Sequence, residues 1–161
     1  MNEGNPPSAG KLLTFVNGGV NMRLVRIACL YWDVLAVLDG RGRCRVLDYI
    51  DGLGANYAAA KRGLIRVLRV ELPQNGPPAH NAELCKSLGG GIFELRRQPK
   101  GQKLRVLFFY DDRRRIVCTN AFSKAETTPQ AEIELARELR ERYMVAKFRR
   151  KLEILEEVRD G

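Results

Sequence analysis

The distribution of apolar and polar positions divides the chain into recognisable elements. Tyr31 to Leu38 (Tyr-Trp-Asp-Val-Leu-Ala-Val-Leu) is rich in aromatic and β-branched residues and predicts a strand, ended by Asp39-Gly40-Arg41-Gly42. Cys44 to Ile50 predicts a short helix stopped by Asp51-Gly52. Asn56 is the expected N-cap of a second helix reaching about Val70, with Ala60, Leu64, Val67 and Leu68 recurring at three-to-four spacing. Leu72 to Pro78 carries Pro73, Pro77 and Pro78 and is expected to be a loop. Three short runs follow, Ile92–Arg96, Leu104–Tyr110 and Ile116–Phe122, which predict an antiparallel meander whose last hairpin turns at Asp111-Asp112-Arg113-Arg114. Thr128-Pro129 opens a final helix, with Glu132 and Glu134 in its first turns. Its apolar positions, from Ile133 through Leu139, Tyr143 and Phe148 to Leu155, extend the expected helix to Val158, or about 42 Å at 1.5 Å per residue.

This order, β-α-α-β-β-β-α, predicts an α+β fold: a small twisted antiparallel sheet with two N-terminal helices and a long C-terminal helix. Residues 1–21, with Gly, Pro, Asn and Ser in excess, read as a flexible tail, and Met22 as an alternative start. Residues 22–143 read as the domain proper and 144–161 as a C-terminal helical extension. The chain has 161 residues, which fits one such domain.

Composition narrows the partners. Lys and Arg number 28 against 19 Asp and Glu, a net charge of +9 that favours polyanions such as nucleic acid. The N-terminus has no basic start and no apolar core, so no secretory signal is expected, and the Leu24–Leu38 run carries Arg26 and Asp33 and does not predict a membrane span. Cys29, Cys44, Cys85 and Cys118 are scattered, without a Cys-x-x-Cys pair, and read as reduced, small apolar side chains in a cytoplasmic protein. No metal or cofactor site is expected.

Period-two alternation places Ile92, Glu94 and Arg96 on one face of their strand, and Lys103, Arg105, Leu107 and Phe109 on one face of the next. Gly89-Gly90-Gly91 lacks the Gly-Lys-Ser/Thr of a phosphate loop and reads as a flexible strand entrance. Arg113-Arg114-Arg115 reads as a solvated hairpin tip or an RNA phosphate contact, and Lys147, Arg149, Arg150 and Lys151 as a solvated helix face or an RNA-binding stripe. The single histidine, His80, falls in a Pro-rich surface segment.

Three stretches together carry a resemblance: Lys86-Ser-Leu-Gly-Gly-Gly-Ile-Phe-Glu-Leu-Arg96, Leu104-Arg-Val-Leu-Phe-Phe-Tyr110, and Ala121-Phe-Ser-Lys-Ala-Glu-Thr-Thr-Pro129 with the Gln-Ala-Glu-Ile-Glu-Leu-Ala136 that follows. In order and spacing they resemble the RelE/ParE superfamily of bacterial toxins, and most closely its phage-derived HigB-like branch. That resemblance implies a RelE-like sheet and a toxin of a type II toxin–antitoxin system. It further implies cleavage of mRNA on the ribosome by attack of the 2′-OH, and a cognate antitoxin, often of helix-turn-helix type. On this basis Arg96 and Arg105 are the expected ligands of the scissile phosphate, and Lys124 the expected proton-transfer or phosphate-neutralising group. Lys86, Lys103, Arg113 and Arg114 are the expected RNA contacts, and Glu94 the residue orienting Arg96. Ala125 stands where the family has a second Lys, which predicts attenuated cleavage. Two other classes fit the same resemblance: a ParE-like inhibitor of a protein target such as gyrase, and a degenerate toxin that only binds its antitoxin.

Overall fold

The computed structural model describes residues 21–98, 101–123 and 126–157. The architecture is α+β, as the pattern predicts, but the sheet is larger: seven strands in the order β3-β4-β5-β6-β2-β1-β7. These are β1 (Met22–Cys29), β2 (Asp33–Val37), β3 (Cys85–Gly89), β4 (Ile92–Arg97), β5 (Leu104–Asp111), β6 (Arg115–Ser123) and β7 (Leu152–Glu156). Neighbours pair antiparallel except β2 with β6 and β1 with β7, which run parallel. The predicted meander is present as β4–β5–β6, and β3 adds a further antiparallel strand beside β4.

Helices cover both faces, which is why the central strands are buried almost throughout. On one face lie α1 (Arg45–Asp51) and α2 (Ala58–Arg66), whose Val46, Ile50 and Leu64 pack with Val34, Ala36, Val106, Phe108 and Cys118. On the other lies α3 (Gln130–Phe148), whose Ala136, Leu139, Tyr143 and Ala146 pack with Leu24, Leu35, Leu107, Phe109 and Val117. Cys44, Cys85 and Cys118 are buried in the first of these cores, and burial pushes the Cys85 thiol up to about 11; Cys29 is exposed.

Three expectations are corrected. Asn56 does not cap α2: it lies in a 3₁₀ turn, Ala55–Tyr57, and α2 starts without a side-chain cap. Pro73 does not make Leu72 to Pro78 a loop throughout. The helix runs on from α2 through a π-helical stretch, Val67–Glu71, into a last turn, Leu72–Asn75. The wider π turn shifts the hydrogen-bond register just where proline has no N–H to give. Pro73 is buried, and its carbonyl accepts from the backbone N–H of Tyr31 and of Trp32, both at 3.0 Å, clamping the β1–β2 turn.

The third correction concerns the C-terminus. The helix read to Val158 ends at Phe148, and Leu152–Glu156 is a strand that pairs with β1. The stop is a Schellman motif: the N–H of Lys151 donates to the carbonyl of Ala146 at 2.7 Å and that of Arg150 to Lys147 at 3.1 Å. The residue at the turning point, Arg150, has φ 58, the left-handed region that glycine takes without strain. With arginine there, the sequence hides the stop. Arg150→Gly is therefore expected to stabilise the fold by about 0.5–1 kcal/mol, seen as a melting temperature higher by about 2–4 °C.

The same end of α3 is fastened by a buried pair. The Tyr143 hydroxyl donates to Oδ2 of Asp111 at 2.5 Å, and burial, reinforced by that carboxylate, pushes the phenol well up. Tyr143→Phe removes the donor from a buried carboxylate oxygen, so a loss of about 1–3 kcal/mol in urea denaturation is expected.

Candidate functional site

The alternation of β4 and β5 turns Glu94, Arg96 and Arg105 toward the face that carries α3. Arg96 and Arg105 are direct cross-strand partners, and Lys86 on β3 lies directly across from Glu94. Two guanidinium groups side by side repel, so the arrangement needs an anion between them. Glu94 supplies it: its Oε1 lies 3.2 Å from Nε of Arg96 and 3.2 Å from Nε of Arg105. The Thr128 hydroxyl, just before α3, donates to Oε2 of the same carboxylate.

The two arginines differ in access. Arg105 is 1% exposed; its guanidinium donates to the carbonyl of Leu104 at 3.0 Å and to the side chain of Gln98. Burial lowers its pKa, yet a guanidinium stays charged at any physiological pH. Arg96 has a side chain 24% exposed and donates to Glu94 through Nε at 3.2 Å. Its terminal N–H groups have no hydrogen-bond acceptor among the described residues. Arg105 thus shares the expected face but is held inside, so a phosphate could reach Arg96 and the exposed Lys86 without any ion pair opening. Lys103 is half-buried just ahead of β5. Lys124 lies outside the described residues, as does Ala125.

Arg113 and Arg114 do not join this cluster. They are exposed in the turn between β5 and β6, at the other end of β5. Six residue steps of extended strand separate Arg105 from Asp111, about 20 Å at ~3.4 Å per residue. The turn itself is built by Asp111, whose Oδ1 accepts from the backbone N–H of Arg113 at 2.8 Å and of Arg115 at 3.3 Å, with Arg114 at φ 57.

Two members of the cluster were not anticipated as site residues. Thr128 reads from sequence only as the opening of a helix, and Gln98 carries no signal at all. The end of α3 above the cluster is fixed by Asn120, whose Nδ2 donates to the carbonyl and to Oε1 of Glu132, both at 3.2 Å. No group of three or more His, Cys, Asp or Glu gathers to hold a metal among the described residues, and His80 is exposed before β3. Chemically, the cluster is a cation shelf: an anchored guanidinium facing outward beside an exposed ammonium, with one carboxylate already committed to holding it.

A protein-family model matches residues 50–141, described as phage derived protein Gp49-like (DUF891). The chain belongs to the Gp49-like family. The match spans α2, the strands β3 to β6 and most of α3, so every residue of the Glu94 cluster lies inside it. No curated protein matches the chain. Among the described residues, no helix of this Gp49-like protein is long and apolar enough to cross a membrane.

Proposed function

We propose that this Gp49-like protein is the toxin of a type II toxin–antitoxin system, related to the RelE/ParE superfamily and its HigB-like branch, and that it cleaves mRNA on the ribosome. The observation that carries the reading is the Glu94 carboxylate held between Arg96 and Arg105, which presents Arg96 outward beside Lys86. Membership of the phage-derived family, the net charge of +9 and the three sequence stretches quoted above agree with it.

In this reading the 2′-oxygen of a ribose attacks the adjacent phosphorus, its proton leaves to a base, and the 5′-oxygen departs with a proton, leaving a 2′,3′-cyclic phosphate. Arg96 grips the phosphate and stabilises the charge that builds on the phosphorane. Lys86 adds a second cation. Glu94 and Arg105 fix the Arg96 guanidinium so that no reorganisation is needed as charge develops, and Lys124 transfers a proton or neutralises the phosphate. Because no strong acid–base pair stands at the site among the described residues, the ribosome has to orient the substrate, and naked RNA is cut weakly. The partner is an antitoxin that silences the toxin in the cytoplasm.

Primer extension on mRNA translated in a purified system tests this reading. Discrete new 5′ ends that appear only with the protein and only on translated message are expected. An absence of cuts together with inhibition of DNA supercoiling by gyrase would replace it with the ParE-like alternative.

A further inference from the structure

The two basic runs of the sequence, Arg113–Arg115 and Lys147–Lys151, are some thirty residues apart, yet the fold brings them around one groove at the far end of the sheet from Glu94. The groove has a volume of about 670 Å³. Met144 and Leu152 line it among the arginines, and Phe148 stands at its edge, 88% exposed. Lys147 is already committed, 2.7 Å from Oδ1 of Asp112 and 3.3 Å from Oδ2 of Asp111. The guanidinium groups of Arg113, Arg115 and Arg150 are in no ion pair among the described residues, and that of Arg115 donates to the Tyr143 hydroxyl at 3.5 Å. We propose that this groove is a second RNA-binding site, in which guanidinium groups hold the phosphates of a single strand and Phe148 stacks on a base.

The chemistry favours RNA over an acidic peptide. Arginine forks outside any ion pair match the bidentate geometry of phosphate, and a nearly fully exposed phenyl ring offers a flat face, the combination that single-stranded nucleic acid uses. Phe148 is the last residue of α3 and Arg150 the turning residue of the Schellman motif that follows, so the chain reversal puts both on the lining of one groove. This site goes beyond the nuclease reading and does not rest on it: the groove binds RNA whether or not the strand is cut at Arg96.

Fluorescence anisotropy of the full chain with a short labelled oligouridylate tests the proposal. Phe148→Ala is expected to weaken binding about fivefold or more, and Phe148→Trp to retain it. Arg113→Ala and Arg150→Gly should each flatten the dependence of log Kd on log salt by about 0.7. Since Arg150→Gly also relaxes the backbone at φ 58, weaker binding by a more stable protein cannot be put down to misfolding. Arg96→Ala should lower cleavage by about a hundredfold or more while the Phe148-dependent part of the affinity survives, so the failure of either site is seen separately. Unchanged affinity in both Phe148→Ala and Arg150→Gly would overturn the proposal. So would polyglutamate binding with the same dependence on Phe148, which would assign the groove to an acidic protein segment.

Discussion

Glu94→Ala is expected to cost about 3–5 kcal/mol of folding stability, the largest effect of any single substitution in the cluster. The reason is Arg105. Its guanidinium is buried at 1% exposure with Nε 3.2 Å from Glu94, and without that carboxylate a charge is left inside with, among the described residues, the Leu104 carbonyl and Gln98 as partners. Arg105→Ala alone should also destabilise, though less, because Glu94 keeps Arg96 and Thr128. The double replacement Glu94→Met with Arg105→Met removes both charges and fills the space, and should cost far less than the sum of the two single changes. Urea denaturation of the parent chain, Glu94→Met, Arg105→Met and the double variant measures this cycle. Additive losses would mean that the pair is not coupled.

Arg96→Ala has the opposite profile: little change in stability and a large change in function. Its side chain is partly exposed, and its pairing with Glu94 lies near solvent, so stability should move by less than about 1 kcal/mol. Cleavage should fall by about 10²–10³, the loss seen when one preorganised donor to a developing oxyanion is removed. Arg96→Lys should recover only part, because an ammonium lacks the fork that grips a phosphate through two N–H groups while Nε stays on Glu94. Thermal melts beside single-turnover cleavage separate the two quantities.

How far the sequence reaches is clear from these residues. Strict alternation in Ile92–Arg97 and Leu104–Asp111 puts Glu94, Arg96 and Arg105 on one face, and the structure has them there. Their depth is not readable, because helices cover both faces of the sheet and the strand pattern no longer separates inside from outside. Thr128 reaches Glu94 across 34 residues of chain, a contact no local pattern encodes. The missed strands have local causes. In β1 the register slips between Arg26 and Ala28, breaking the alternation, and β3 is five residues long and runs into three glycines. In β7, Leu152 and Leu155 fit a helical spacing as well as a strand, and the turn that separates them from α3 bends at an arginine where a glycine would have announced it.

Arg96, held outward by Glu94 and Arg105, is the residue proposed to act on an RNA phosphate. Single-turnover cleavage of ribosome-bound mRNA by the parent chain and by Arg96→Ala, each confirmed folded by its thermal melt, tests that role most directly. Cutting by the parent chain is expected to leave a 2′,3′-cyclic phosphate at the new end, with a loss of at least about a hundredfold in the variant. Equal cutting rates in a folded Arg96→Ala would contradict it.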